Sequence, residues 1–472
     1  MATKIGAKTR EVAGMNPWWR DVDWAKNDVD LKPVAQTNLN YQPKTLKDLD
    51  EKGLYILRGP RRVGKTVLIK QKIQELLLNG VPPYSIIRID VDGWDSDELR
   101  TLVQNIPLPP LSATQKRYWF LDEVTGVAGE WAKQIKWLRS NDTEFNNATV
   151  VLTGSSASGL TEAAGIIAGR RGKSTNVERS LLPMGFRTFA VTLDPRLAQI
   201  PLLELDDLHG ASSVVVYQEA NLWINELTNL WELYLQYGGF PIAVSAAKVL
   251  QPIPAWFIDS LLDVIYRDAF AKSSLSRAKT TSLVARIWES MSTPINLSSV
   301  GKDLGVDAKT VERHITYLRD AHLLWECPKL DKPWVANDRA QYKVYPIDPI
   351  IGRLAHLKST SRPDIDVTIL SEAQIGTGFK RGVTARGGAW DGESAFFYQT
   401  TPSRKEIDFV SELFNGVAVE SKYTDSGSWV RESATLNAST HLGIMATRSV
   451  LDLMTHPTWA IPASLLAFLT DI

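Results

Sequence analysis

Apolar and polar positions change their period along the chain, and the changes mark out its parts. Up to about Pro43 the chain is polar, broken by the pair Trp18-Trp19 and by Trp24, which predicts an arm laid on a neighbouring surface. From about Thr45 short apolar runs alternate with segments of helical period. Leu54–Leu57 is apolar and ends in a glycine turn. Val67–Leu78 has helical spacing, and Ser85–Asp90, Arg117–Leu121 and Ala148–Leu152 read as further strands. Such alternation predicts a parallel sheet covered on both faces. Leu202–Thr281 reads as long helices rich in Leu and Trp. Ser282–Asp348 reads as three helices and then two strands. Pro349–Ile472 returns to mixed helix and strand after a polar linker near Lys358–Asp366. The expected organisation is an arm over 1–44, an α/β core over 45–200, a lid-like helical domain over 201–281, a winged-helix domain over 282–348 and an α/β domain over 349–472.

Composition narrows the picture modestly. A chain of 472 residues, 44% hydrophobic, is long enough for several cores. Its formal net charge is zero, so any binding to nucleic acid has to come from local basic patches. The single cysteine, Cys327, excludes an intramolecular disulfide and a four-cysteine zinc site and fits a reducing compartment. The opening residues Met1–Gly6 lack the apolar run of a secretory signal, and no stretch is apolar for long enough to span a bilayer. The expectation is a soluble cytoplasmic protein without a membrane partner. Sixteen tryptophans are scattered, which suits packing better than nucleotide stacking.

The candidate chemistry begins at Gly59-Pro60-Arg61-Arg62-Val63-Gly64-Lys65-Thr66, with Val67 opening the following helix. This is the phosphate-loop pattern, Walker A, with a strand before it and a helix after. Glycines let the loop curl so that backbone N–H groups face phosphate oxygens, and the helix N-terminus adds its dipole. Lys65 then reaches the terminal phosphates and the Thr66 hydroxyl binds Mg²⁺. The apolar strand Tyr118-Trp119-Phe120-Leu121 ends in Asp122-Glu123, a Walker B arrangement. Open α/β sheets bind ligands at that strand end. Asp122 is expected to hold Mg²⁺, and Glu123 to orient and deprotonate the attacking water. The strand Thr149–Leu152 runs into Thr153-Gly154-Ser155-Ser156, where Thr153 or Ser155 would sense the γ-phosphate unless these small residues only make a turn.

The ordered set Leu57–Thr66, Leu121-Asp122-Glu123, Leu152–Ser156, Gly169-Arg170, Leu182–Phe189 and Tyr237-Gly238-Gly239-Phe240-Pro241 resembles a family of prokaryotic AAA+-type predicted ATPases, and the resemblance covers nearly the whole chain. It implies a AAA+-like core, a helical middle and a C-terminal domain known mostly as a domain of unknown function. It also suggests Arg170 or Arg171 as an arginine that touches the γ-phosphate, with Arg170 at the matching Gly-Arg position. From the residues alone, a double arginine beside Gly169 and Gly172 equally suits a solvated turn.

Two further segments carry chemistry. Leu297–Val306 reads as a short helix closed by a glycine turn. Asp307 then caps a helix over Ala308–Ala321 with Val311, Ile315 and Leu318 on one face and Lys309, Arg313 and Tyr317 on another. Leu323–Glu326 and Tyr342–Tyr345 would form a wing. The module suits DNA, and it suits protein packing nearly as well, since Glu312 and Asp320 sit among the basic residues. In the tail, Ser371-Glu372 opens a helix, Glu406–Val410 and Val417–Lys422 alternate as strands, and Asn415-Gly416 turns between them. Asp408, Glu420 and Lys422 then share one face, which looks like a PD-(D/E)xK nuclease fold with Glu372 as the helical acid. Asp408, Glu420 and Glu372 would hold Mg²⁺ or Mn²⁺ while Lys422 positions a water. Ile407 stands where that motif has proline, which leaves open a degenerate fold, as does the plain reading of a charged edge hairpin. The leading expectation is an ATP-hydrolysing, DNA-directed protein with a nuclease-like tail, open to homo-oligomer formation, with a role in genome maintenance or defence. A nucleotide switch that binds DNA or protein and cuts nothing is the alternative, and a protein-remodelling AAA+ machine is the third.

Overall fold

The computed structural model describes residues 2–471 except 38, 40, 113–114, 155–156, 173, 175, 272–274, 338, 360, 386–389, 391–394, 402, 425–428 and 440–441. The chain forms two compact units, Met1–Leu182 and Pro183–Ile472.

The first unit is a five-stranded parallel sheet. Its strands are β1 (Leu54–Arg58), β2 (Ile86–Asp90), β3 (Tyr118–Asp122), β4 (Thr149–Thr153) and β5 (Glu178–Ser180), in spatial order β2-β3-β4-β1-β5. The apolar runs become strands because both faces are covered: β1 and β4 are buried at every position. Helices Lys65–Leu78, Ser96–Asn105, Trp131–Asn141 and Ala157–Ile167 connect them. Asp95 caps the second of these in a capping box with Glu98. β5 is short and only partly buried, which is why hydrophobic patterning alone misses it.

The polar arm does lie on a surface. It opens with a helix, Ala2–Met15, that the sequence pattern did not predict. Beyond it, Asn16 is fully buried against the outer edge of β2. Its side-chain amide donates to the Arg88 carbonyl at 2.7 Å, and its carbonyl oxygen accepts from the Arg88 N–H at 2.7 Å. Trp18 and Trp19 both donate their indole N–H to the Ile86 carbonyl, at 3.1 and 3.0 Å. An unpaired strand edge is a liability, and these side chains occupy it in place of a sixth strand. Farther along, Asp28 and Asp30 hold Lys70 of the phosphate-loop helix at 2.7 and 2.6 Å.

The second unit starts with helices Phe186–Leu193, Ala211–Asn221, Ile224–Tyr237, Pro241–Lys248, Ala255–Ala271 and Arg277–Glu289. Next come Leu297–Leu304, closed by Gly305 in the left-handed region, and Ala308–Asp320, capped by Asp307 as expected. The wing is antiparallel β6 (Leu324–Cys327) with β9 (Lys343–Pro346), Leu324 opposite Pro346. A small hairpin of β7 (Leu330–Lys332) and β8 (Val335–Ala336) lies between them in sequence. The tail is a mixed sheet in the order β10 (Phe397–Thr400), β11 (Glu406–Val410), β12 (Val417–Ser421), β13 (Leu442–Thr447) and β14 (Thr458–Pro462). It is antiparallel through β12 and parallel beyond, and helices Val367–Ala385 and Ala463–Thr470 pack on it.

Two motifs of the sequence resemblance meet here. The Met184 N–H donates to the Gly239 carbonyl at 2.8 Å. Asp348 accepts from Gly239 N–H at 2.6 Å and from Ile350 N–H at 3.0 Å, so one buried carboxylate ties the Gly238-Gly239 turn to the cap of helix Pro349–Lys358. A methyl group on Gly239 would run into the Met184 carbonyl. Backbone cannot retreat as a side chain can, so Gly239→Ala is expected to destabilise the protein by about 2 kcal/mol or more in urea unfolding. A loss below roughly 0.5 kcal/mol would show that the turn relaxes freely.

Candidate functional site

At the carboxyl end of the parallel sheet, β1 runs into the phosphate loop. Gly59 has φ +147°, and a side chain there would strike the Leu181 carbonyl, while Gly64 has φ +100°. Both positions lie in or near conformations that L side chains rarely adopt, so the two glycines of the motif are required by the backbone. Arg62 is also left-handed, at φ +67°. Pro60, Arg61, Arg62 and Val63 form the turn between the glycines, and Val63 is buried. Helix Lys65–Leu78 starts directly after Gly64.

Lys65 is 7% exposed and its ammonium donates to the Gly59 and Pro60 carbonyls at 2.8 and 3.1 Å. Burial pushes its pKa down to about 8, against the opposing pull of Glu123 and Asp122. It still carries a proton at neutral pH. Asp122, 1% exposed, is the centre of the site. It accepts from Thr66 Oγ1 at 3.1 Å, from the Thr153 hydroxyl and from the Arg88 guanidinium at 2.7 Å. Thr153 Oγ1 also accepts from the Glu123 N–H at 3.3 Å. Glu123 itself has φ +58°, a strained conformation for a glutamate, at the turn out of β3. Lys65, Thr66, Asp122, Glu123 and Thr153 are therefore brought together, as the sequence predicts. Ser155 lies outside the described residues.

The donor set suits magnesium. Thr66 and Asp122 offer hard oxygens beside a loop whose φ-positive glycines leave the backbone bare. They are the residues that would hold the ion.

Arg170 is not brought to this loop. Its carbonyl accepts from Arg139 Nε at 3.3 Å, its own Nε donates to Ser140 at 2.8 Å, and the neighbouring Arg171 carbonyl accepts from the Leu54 N–H. Leu54 begins β1 and the phosphate loop follows its end, so the two lie about 16 Å of strand apart. Neither arginine can serve the nucleotide of its own chain from that place. Sequence order does not reveal which end of a sheet a turn occupies.

Sequence reasoning missed Arg88. A charged residue in the middle of Ile86-Ile87-Arg88-Ile89-Asp90, a strand buried on both faces, was the available signal.

In the second unit the tail acids converge. The β11–β12 register sets Phe409 opposite Val419, which puts Asp408 opposite Glu420 and Glu406 opposite Lys422 on one face. Helix Val367–Ala385 adds Glu372. What the sequence did not foresee is Lys343, from the wing strand β9. It is 0% exposed, and its ammonium sits 2.7 Å from Glu406, 2.9 Å from Asp408 and 3.3 Å from Glu372. Tyr345, two residues on, donates to Glu372 at 2.7 Å. The second Asp408 oxygen accepts from the Ser421 N–H at 2.9 Å. Lys422 pairs with Glu420 at 3.1 Å. Among the described residues no three His, Cys, Asp or Glu side chains are arranged as a metal cluster. Glu372 and Asp408, expected to share a metal with Glu420, have the buried Lys343 ammonium between them. Inward alternation in Tyr342-Lys343-Val344-Tyr345 was the missed signal.

Burial works against Lys343, but Asp408, Tyr345, Glu372 and Glu406 hold its pKa well above the ordinary value. Burial and then the Asp408 charge push Glu372 up to about 7 and Glu420 up to about 8. On the winged-helix segment, Lys309 and Arg313 are exposed and Tyr317 is half-buried on helix Ala308–Asp320, beside exposed Glu312.

The first unit combines a five-stranded parallel sheet of the P-loop ATPase kind with a phosphate loop and a buried acid at the end of β3. Residues 51–190 match a family described as an AAA domain, and residues 228–362 match a domain of unknown function (DUF8612). A Haemophilus influenzae protein described as uncharacterized is 24% identical over 307 residues, a match that spans 62% of this chain and 66% of that protein, just under two thirds of its length. Among solved structures, the Walker-type ATPase PABY2304 of Pyrococcus abyssi is similar at 14% identity and TM-score 0.36, over 70% of this chain and 96% of that one. The Aeropyrum pernix ORC2 protein in its ADPNP–ADP complexes is similar at 12% identity and TM-score 0.33, over 70% and 93%. A Thermotoga maritima RuvB mutant reaches 12% identity and TM-score 0.26, over 64% and 90%. No described helix is long and apolar enough to cross a membrane.

The raised tail carboxyls predict a pH dependence. Folded Glu420 keeps its proton to about pH 8, whereas an unfolded glutamate releases it near 4.5. The folded state then binds more protons between those values, so this group makes stability fall as pH rises across that window. Glu420→Gln cannot ionise. Its melting temperature should match wild type near pH 5 and exceed it near pH 8. A difference between the two proteins that is the same at both pH values would show that Glu420 ionises normally.

Proposed function

We propose that this protein is an ATP-hydrolysing AAA+-type ATPase that acts on DNA. The observation that carries the ATPase reading is the convergence of Lys65, Thr66, Asp122, Glu123 and Thr153 at one end of the parallel sheet. Lys65 and the loop N–H groups steady the phosphates. Glu123 orients the attacking water and takes its proton, and Thr153 fixes the turn that carries Glu123. Thr66 and Asp122 would hold Mg²⁺, which would supply charge neutralisation for the phosphates. Arg170, being remote from its own loop, fits a role on the nucleotide of a neighbouring copy in a homo-oligomer. Lys65→Ala should lose nucleotide binding, while Glu123→Gln should bind ATP and turn it over at least about 100-fold more slowly. Wild-type turnover by Lys65→Ala would falsify the site assignment.

DNA is assigned to the exposed Lys309 and Arg313 of helix Ala308–Asp320, with Tyr317 beside them. The buried Lys343 favours a tail that resembles a PD-(D/E)xK fold but does not cleave, because it gives Asp408 a permanent cation partner. Lys309→Glu combined with Arg313→Glu should weaken DNA binding and reduce the slope of affinity against salt by about 2. Labelled DNA incubated with the wild type, ATP and Mn²⁺ should remain intact. An unchanged salt slope would send the winged helix to a structural role, and metal-dependent cutting would restore Asp408, Glu420 and Lys422 as catalytic residues.

A further inference from the structure

The site contains a cation that the phosphate-loop pattern does not call for. Arg88 lies in the middle of β2 with its side chain 9% exposed, and its Nη2 donates to Asp122 Oδ2 at 2.7 Å. The same oxygen accepts from Thr66 Oγ1 at 3.1 Å. Asp90, at the end of β2, is 3.8 Å from the guanidinium and half-exposed. The Arg88 backbone is fixed as well, because Asn16 takes both its N–H and its carbonyl. This arginine is therefore held at the main chain by the arm and at the side chain by the carboxylate of Asp122.

A purely structural ion pair would be the plain explanation, since a buried carboxylate requires a partner. The shared oxygen argues for more. Asp122 Oδ2 joins Arg88 to Thr66, one of the two residues assigned to magnesium, so the guanidinium and a divalent cation draw on one carboxylate. We infer that Arg88 is the resident counter-cation of Asp122 and a positioning residue for the ATP reaction, an inference that rests on the ATPase reading. Before metal arrives, Arg88 holds the carboxylate against Thr66 and cancels its charge, so that phosphate oxygens are not repelled. When metal is present, Arg88 competes for the same carboxylate and raises the concentration of Mg²⁺ that the site requires. Arginine suits this role because it stays charged when buried and its planar fork fixes direction.

The inference gives two effects of opposite sign in one variant. A fluorescent ATP analogue is titrated into wild type, Arg88→Met, Arg88→Gln and Arg88→Lys, first in EDTA and then at increasing Mg²⁺, with circular dichroism checking the fold. The neutral variants should lose about tenfold or more of the metal-free affinity, because Asp122 then faces phosphate uncompensated. Their Mg²⁺ concentration for half-maximal binding should fall several-fold below wild type. Arg88→Lys should restore metal-free affinity to within about threefold of wild type, because it keeps the charge. If Arg88→Met does not fold, Arg88→Gln decides the matter. A folded neutral variant with wild-type affinity in EDTA and a wild-type Mg²⁺ midpoint would overturn the inference, and so would Arg88→Lys behaving like the neutral variants. Wild type that binds no nucleotide under either condition would sink the ATPase reading instead, so the two failures are distinguishable.

Discussion

The first unit is organised around one buried carboxylate. Asp122 is nearly inaccessible, and removing a charge of that kind from water is costly unless donors surround it. Three side chains supply them from three different elements: Thr66 from the phosphate-loop helix, Thr153 from the end of β4 and Arg88 from β2. The strand order β2-β3-β4-β1 makes this convergence geometrically available, because β3 lies between the two strands that carry Arg88 and Thr153. The arm enters the same network from outside. Asn16 grips the Arg88 backbone, and Asp28 and Asp30 hold Lys70 on the phosphate-loop helix. The polar N-terminal stretch thus holds both β2 and the phosphate-loop helix.

The second unit solves a related problem in a different way. Four carboxylates, Glu372, Glu406, Asp408 and Glu420, gather near two lysines, and the more buried lysine comes from the wing strand rather than from the tail sheet. Lys343 pairs with Glu372, Glu406 and Asp408, and Lys422 with Glu420. Burial and the Asp408 charge leave the pKa values of Glu372 and Glu420 raised even so. The cluster also fastens β9 to the tail sheet, so the winged-helix segment and the tail share a core instead of being joined by a loose linker.

Much of the first unit was legible in the sequence because its signals are local. A glycine-rich loop between a strand and a helix, and an apolar strand ending in two acids, each fit within ten residues. The structure places Lys65, Thr66, Asp122, Glu123 and Thr153 together as that pattern implies. The hairpin at Asn415-Gly416 was legible for the same reason, and both residues have positive φ. What escaped was long-range. Arg88 lies 34 residues from Asp122, Asn16 lies 72 from Arg88, and Lys343 lies 65 from Asp408. Arg88 and Lys343 were visible only as polar residues in positions the pattern marked as buried, Asn16 was one polar residue in a polar arm, and nothing in the sequence names their partners. The distance of Arg170 from its own loop was hidden by the same gap, since a Gly-Arg pair does not say at which end of the sheet it turns.

The central claim is that Asp122 joins the protein to magnesium and nucleotide. It is tested most directly by the melting temperature of wild type and Asp122→Asn, each with ATP alone and with ATP plus Mg²⁺. A ligand that binds only the folded state raises the melting temperature, so the increment on adding Mg²⁺ reports the metal-dependent part of binding. The account predicts a clear Mg²⁺ increment in wild type and its loss in a folded Asp122→Asn protein. An equal increment in both proteins would contradict it.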